Sequence, residues 1–222
     1  MNSGGAILRR QNTGGDLVNV YDVVAEFEKR VAEYAGAPYG VAVNSCTNAL
    51  LLSMMYTHEF KHLISRTVYI PKHTYVGVAY AVLNAGYLIQ FTDEEWEGAY
   101  QIHPYKIIDS ARRFKKDMYV KSSLYCLSFH ETKHLPIGDG GMILTDDKKA
   151  YDALRQMRFD GRTPGMSVFD DDFTLPAIHA HMKPDVAARG LMLMAGVKDH
   201  NEDLPGEYPD LSQHPIFTEV YR

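Results

Sequence analysis

The segment CLSFHETKHLPIGDGGMIL, residues 126–144, is the most informative stretch of the sequence. It places Lys133 five residues after Ser128 and shortly before the glycines at positions 138, 140 and 141. A lysine in this setting is a candidate for the covalent attachment of a cofactor, because an amine becomes a nucleophile once it loses its proton. The glycines would let the backbone turn tightly beside it. An exposed loop lysine is the competing interpretation, since most lysines lie at the surface.

The composition is that of an ordinary globular protein. The chain has 222 residues, of which 45% are hydrophobic and 23% charged, enough to bury a sizeable core. A formal net charge of −5 gives no reason to expect binding to a nucleic-acid backbone, and no apolar run has the length of a membrane span. With only Cys46 and Cys126, a disulfide framework is excluded, so we expect reduced thiols in a cytoplasmic protein.

Helical and strand patterns alternate along the chain. Helices are predicted over 20–34, 48–56, 75–83 and 148–159, and strands over 40–43, 67–70, 88–91, 106–108, 124–128 and 142–145. This alternation predicts an α/β fold with a mainly parallel sheet between helices, and ligands at the carboxyl ends of its strands. We divide the chain into an N-terminal arm (1–16), an α/β domain (17–196) and an irregular, loosely packed tail (197–222). In the tail, Pro205, Pro209 and Pro215 should interrupt any helix.

Two further motifs follow predicted strands. The turn 44–48, Asn-Ser-Cys-Thr-Asn, opens a helix whose free N–H groups would suit a phosphate. A simple helix cap by Ser45 or Thr47 is the alternative. Asp109 ends an apolar strand, where a buried carboxylate is costly unless it meets a cation. A helix cap is again the competing role.

From about residue 24 to residue 191, the chain resembles the sugar aminotransferases of the DegT/DnrJ/EryC1/StrS family. The resemblance rests on the turn 44–50, on Pro-Lys-His-Thr-Tyr at 71–75, on Ile-Ile-Asp-Ser-Ala-Arg at 107–112 and on the lysine segment. Weaker matches cover 154–162 and 181–191. It implies a pyridoxal 5'-phosphate (PLP)-dependent transferase of fold type I.

The resemblance also implies roles for individual residues. Lys133 would form the Schiff base with PLP and then shuttle protons, Asp109 would pair with the ring nitrogen, and Tyr75 would stack on the ring. The phosphate would be held by Thr47, Asn48 and Ser128. Arg112 stands where the family has Gln or His against the ring hydroxyl. His181 matches a loop position that approaches the phosphate of a neighbouring subunit. His179 and His181 lack further evident metal ligands, so no metal is expected.

The family precedent implies transfer of an amino group between a small-molecule amino donor and a keto acceptor, by precedent a nucleotide-linked keto sugar. A PLP-dependent decarboxylase or lyase, and a non-catalytic binding module of the same fold, are the alternatives. The interval 91–107 is shorter than the family's strand-and-helix unit, and the carboxyl-terminal small domain is expected to be reduced or absent. We further expect a homodimer with composite sites, which would bury an apolar strip of Met182, Leu191, Leu193 and Met194.

Overall fold

The computed structural model describes residues 19–61 and 64–218, so the predicted arm over 1–16 lies outside the described residues. These ranges contain seven strands and six α-helices. They are α1 (Asp22–Ala35), β1 (Tyr39–Val43), α2 (Cys46–Phe60), β2 (Thr67–Pro71), α3 (Val76–Asn84), β3 (Leu88–Thr92), β4 (Tyr100–Ile102), β5 (Ile107–Asp109), β6 (Leu124–Ser128), β7 (Gly141–Thr145), α4 (Lys148–Met157), α5 (Pro184–Met194) and α6 (Pro215–Thr218). No helix within the described ranges is both long and apolar enough to cross a membrane.

The sheet is mixed, which corrects the prediction of a mainly parallel one. Five strands lie in the order β1-β7-β6-β5-β4, and β2 pairs with β3 in a separate two-stranded sheet. The β2–β3 and β5–β6 pairs are parallel, while the β1–β7, β6–β7 and β4–β5 pairs are antiparallel. A parallel neighbour needs a crossover of about a dozen residues or more, usually helical. Residues 103–106 alone join β4 to β5, and residues 129–140 join β6 to β7 without a helix.

Apolar side chains alternate between the two faces of the five-stranded sheet. Val41 and Cys126 belong to the core beneath α2, α3 and α4, whereas Ala42 and Leu127 belong to the core beneath α1 and α5. This alternation follows from the two-residue period of a strand. Both faces are therefore covered by helices, as the α/β prediction requires.

Several strands of the five-stranded sheet end at the same edge. Because β1 and β6 are both antiparallel to β7, and β5 is parallel to β6, the carboxyl ends of β1, β5 and β6 meet there. The amino end of β7 reaches the same edge. Asp109 and Ser128 are the last residues of β5 and β6, and the turn 44–45 follows β1.

The structure differs from the sequence prediction at two further places. The strand β4 was not predicted, because its three residues, unlike those of β5, contain no run of adjacent apolar side chains. In the tail, residues 197–210 contain no helix or strand, but Leu211–Gln213 form a 3₁₀ turn and Pro215 begins α6. Proline is tolerated in the first turn of a helix, where its missing N–H would have no partner. Leu211 and Phe217 are buried, so this part of the tail packs against the domain instead of lying loose.

Candidate active site

A cavity of about 330 Å³ opens at the edge where β1, β5 and β6 end. Six of the eight residues predicted from the sequence line it, namely Thr47, Tyr75, Asp109, Arg112, Ser128 and Lys133. Asn48 and His181 are not among its lining residues. The wall also contains residues that the sequence did not single out for a role in the site, including Trp96, His130 and Tyr208.

The turn after β1 begins helix α2 beside the cavity. The Ser45 hydroxyl accepts a hydrogen bond from the backbone N–H of Asn48 at 3.1 Å, so Ser45 caps the helix. The Asn48 side chain is engaged locally, because its Nδ2 donates to Oδ1 of Asn44 at 2.7 Å. Thr47 lines the cavity. Helix capping and anion binding are compatible here, since a cap satisfies only some of the free N–H groups in the first turn.

Asp109 lies at the end of β5 with 5% of its surface exposed. The backbone N–H of Ala111 donates to Oδ1 at 2.9 Å, and the Tyr100 hydroxyl donates to Oδ2 at 3.2 Å. Burial raises the pKa of the Asp109 carboxyl, while these hydrogen bonds and the charges of Lys133 and Arg112 act in the opposite direction. A buried carboxylate held in this way can receive a cationic atom of a ligand.

Lys133 lies in a turn after β6, where its backbone N–H donates to the carbonyl of His130 at 2.9 Å. Its side chain lines the cavity. Burial lowers the pKa of the Lys133 amine, the positive charge of Arg112 lowers it further, and Asp109 acts in the opposite direction. A lowered pKa leaves a larger fraction of the amine uncharged near neutral pH, which is the form that attacks a carbonyl carbon.

Residues 203–211 form a segment that we call the C-terminal strap, and its Tyr208 lines the cavity. Arg112 holds it: Nε donates to the Tyr208 hydroxyl at 2.9 Å, and the guanidinium carbon lies 4.8 Å from the centroid of the Tyr208 ring. On the opposite flank, Nδ1 of His73 lies 3.0 Å from the Tyr208 carbonyl oxygen, and Leu211 N donates to the Lys72 carbonyl at 2.9 Å. The strap is thus held by Arg112 on one side and by His73 and Lys72 on the other.

Trp96 packs behind the strap. Its ring lies nearly parallel to that of Tyr208, with 6.2 Å between centroids, and its Nε1 donates to the His73 carbonyl at 2.9 Å. Trp96 and Tyr208 both line the cavity. Sequence reasoning missed them because no local pattern shows that two residues so distant in the chain meet at one wall.

His181 lies in a second, smaller depression of about 190 Å³, together with Tyr21 and Phe159. Burial lowers the pKa of the His181 imidazole, and the neighbouring His179 lowers it further. Nδ1 of His179 lies 2.6 Å from a carboxylate oxygen of Asp160. In the described part of the chain, no three His, Cys, Asp or Glu side chains are grouped so as to hold a metal ion.

The sequence profile of the DegT/DnrJ/EryC1/StrS aminotransferase family matches residues 6–116 and 116–203. The chain belongs to this family. The match includes every residue predicted for the site, from Thr47 to His181, and ends at the start of the C-terminal strap.

Known proteins similar to the chain are longer than it is. It is 25% identical to the spore coat polysaccharide biosynthesis protein SpsC of Bacillus subtilis, in an alignment of 182 positions covering 62% of this chain and 46% of SpsC. AtS13 of Actinomadura melliaura is similar in structure, with a TM-score of 0.70, 21% identity, and coverage of 79% of this chain and 60% of AtS13. The sugar aminotransferase CalS13 of Micromonospora echinospora has a TM-score of 0.69, 20% identity and coverage of 79% and 60%. The chain therefore spans about half the length of SpsC.

Proposed function

We propose that the chain binds PLP in the 330 Å³ cavity and transfers an amino group between an amino acid and a keto compound. The observation that carries the proposal is that Lys133, with its lowered pKa, and the buried carboxylate of Asp109 line one cavity. A nucleotide-linked keto sugar is the proposed acceptor. It is supported by family membership and by the similarity to a sugar aminotransferase, CalS13.

The cavity residues fit the chemistry of this cofactor. When bound, PLP supplies an aldehyde that bonds to amines and a pyridinium ring that withdraws electrons. Lys133 offers the amine, and Asp109 offers the carboxylate that a ring N–H⁺ requires. Thr47 and Ser128, with the N-terminus of α2, offer donors for the phosphate. The Tyr75 ring lines the same cavity and offers a face for stacking.

Each of these residues has a task in the proposed transfer. Lys133 would bond to the cofactor and, once displaced by the amino donor, would take a proton from the nitrogen-bearing carbon of the donor and deliver it to the cofactor carbon. The positive charge of Arg112 favours the uncharged form of that amine. Trp96 and Tyr208 wall the cavity and would restrict the entry of water. We therefore expect the strap to affect turnover as well as binding.

Reductive trapping tests the role of Lys133. PLP added to the protein and reduced with borohydride should remain covalently attached to the peptide that contains Lys133, as mass spectrometry would show. Lys133→Ala should abolish both this adduct and the near-visible absorbance of the lysine-bound cofactor. Lys116→Ala is the matched control, because Lys116 forms an exposed pair with Asp199. A Lys133→Ala protein that keeps the same absorbance would refute the assignment.

A panel of amino acids then tests the reaction. Conversion of the bound cofactor to its amine form supports transfer. Release of carbon dioxide or ammonia without that form supports the decarboxylase or lyase alternative instead. A protein that stays colourless after PLP is added would favour the non-catalytic binding module.

We also propose a homodimer, supported by exposed apolar side chains on the segment 163–176. Phe169 is 94% exposed, and Met166, Val168 and Phe173 are exposed as well. The strip expected from the sequence needs a correction, because Met182 is 1% exposed and packs inside the chain's own core. Leu191 and Met194 are partly buried against the same core, and Leu193 is the exposed member of the strip. His181 would approach the partner's phosphate.

Sedimentation tests the assembly. The wild type should sediment as a dimer, and Phe169→Asp should shift it towards the monomer. A stable monomer that still binds PLP tightly would contradict the proposal.

A cytoplasmic location is proposed from the two free cysteines, Cys46 and Cys126.

A further inference from the structure

A buried chain of hydroxyl groups ends on Asp109. The Thr74 hydroxyl lies 2.6 Å from the Tyr100 hydroxyl, which in turn donates to Oδ2 of Asp109 at 3.2 Å. All three residues are buried, with 1%, 4% and 5% of their surfaces exposed. Thr74 and Asp109 line the cavity, whereas Tyr100 is not among its lining residues. The chain of hydroxyls therefore leaves the cavity wall at Thr74 and returns to it at Asp109.

The direction of these hydrogen bonds follows from the number of protons available. A tyrosine hydroxyl has one proton, and an ionised carboxylate only accepts. If Tyr100 donates to an ionised Asp109, its oxygen is left to accept from Thr74. With Ala111 N on Oδ1 and Tyr100 on Oδ2, both oxygens are fixed, and each keeps accepting capacity for a ligand.

The backbone places Tyr100 at this point. Tyr100 and Asp109 are directly opposite in the antiparallel β4–β5 pair, so their side chains share one face of the sheet. Thr74 comes from the loop after β2. Phenylalanine would fill nearly the same space as Tyr100, but it would leave Oδ2 facing an apolar wall.

We propose that Tyr100, oriented by Thr74, is a positioning residue that keeps Asp109 ionised and aimed at a cationic ring nitrogen in the cavity. The inference rests on the proposed function. It assigns a task to a residue of β4 that makes no contact with the cavity.

Other groups near Asp109 also affect its pKa and must be considered when it is titrated. Besides Tyr100, the groups that interact electrostatically with it are Lys133, Arg112, Cys46, Cys126 and Tyr208. Lys133 and Arg112 lower the pKa of Asp109, and burial raises it. None of these side chains is changed by replacing Tyr100, so a shift seen in such a variant is attributable to the lost hydroxyl.

The test compares Tyr100→Phe and Thr74→Val with the wild type. In the PLP-free protein, the carboxyl carbons of labelled aspartates are titrated by ¹³C NMR, and the signal of Asp109 is assigned through Asp109→Asn. We expect the titration midpoint of Asp109 to rise in Tyr100→Phe and to rise less in Thr74→Val, with Thr74→Ser restoring the wild-type value. Affinity for PLP should fall about tenfold in Tyr100→Phe, as expected for loss of a hydrogen bond to a charged group.

Tyr105→Phe is the matched control, because the buried Tyr105 hydroxyl donates to the Ser65 carbonyl at 2.5 Å, outside the cavity. It should lower stability without moving the midpoint of Asp109. An Asp109 midpoint that is the same in the wild type and Tyr100→Phe would overturn the inference. This holds even if neither protein binds PLP, an outcome that would count against the proposed function alone. If Tyr100→Phe does not fold, Thr74→Val decides by the same criterion.

Discussion

Replacing Gly141 with alanine would test whether the turn before α2 must lie against the start of β7. A Cβ at position 141 would lie 2.6 Å from the backbone nitrogen of Cys46 and 2.6 Å from the carbonyl carbon of Ser45. Because both are backbone atoms, no side-chain rotation relieves the contact. A Cβ contact is essentially never closer than 3.0 Å, and ordinary contacts begin at 3.4 Å. The turn or the strand must therefore move by 0.4 Å at least, and by 0.8 Å to reach an ordinary contact.

This displacement sets the expected magnitude. Overpacking of a well-packed region costs about 1–3 kcal/mol in the free energy of unfolding. The moved atoms carry the N–H groups proposed to bind phosphate, and a misplacement of about 1 Å in a positioned site can reduce a rate ~100-fold. We expect the affinity of Gly141→Ala for PLP to fall by at least about tenfold, which corresponds to about 1.4 kcal/mol.

The assay is a titration of the protein with PLP, followed by absorbance and by quenching of Trp96, the only tryptophan in the sequence. Urea unfolding of the same samples measures stability. Gly196→Ala is the control, because the nearest atom to its Cβ, the carbonyl oxygen of Leu193, would lie 3.8 Å away. If Gly141→Ala binds PLP as tightly as Gly196→Ala does, the proposed phosphate-binding role of this turn is refuted.

Two further predictions concern charges. Arg112→Gln removes a positive charge that lowers the pKa of the Lys133 amine, so the pKa of this amine should rise. The pH midpoint of the rate at which Lys133 reacts with added PLP should therefore move upward. An unchanged or lower midpoint would contradict this prediction. The side chains of Glu28 and Arg158 are 6% and 11% exposed, so Glu28→Ala leaves Arg158 buried without the carboxylate that it contacts. This variant should lose about 3–5 kcal/mol in the free energy of unfolding measured in urea. A loss under about 1 kcal/mol, as expected of a surface pair, would show that Arg158 finds other partners.

Local sequence was sufficient where a strand ends in polar residues or glycine. The strand β6 was predicted over 124–128 and has those bounds, because its buried apolar run is followed by a loop that leads to glycines. The same signals predicted that Ser128, Asp109 and the turn 44–45 lie at strand ends, and in the structure these strand ends meet at one edge of the sheet. In each case the evidence lay within a few residues of the feature.

Sequence was insufficient where a residue's partner is distant. Arg112 was recognised as a departure from the family pattern, but its contacts with Tyr208 and the carbonyl of Pro205 span 96 and 93 residues. The mixed sheet was missed for a related reason. Strand direction depends on whether a crossover helix joins two neighbouring strands. The strand β4 shows no local pattern of its own, so the short interval 91–107 did not reveal that an antiparallel strand lies within it.

That short interval also links the shape of the sheet to the chemistry of the site. With residues 103–106 as the only connection, β4 must run antiparallel to β5. The antiparallel register then sets Tyr100 directly opposite Asp109 and turns both side chains to the same face. A connection long enough for a crossover helix would allow a parallel neighbour, which pairs with different residues. The hydrogen bond from the Tyr100 hydroxyl to Asp109 is thus a consequence of the short connection. Shifting the β4–β5 register by one residue would turn Tyr100 to the opposite face of the sheet.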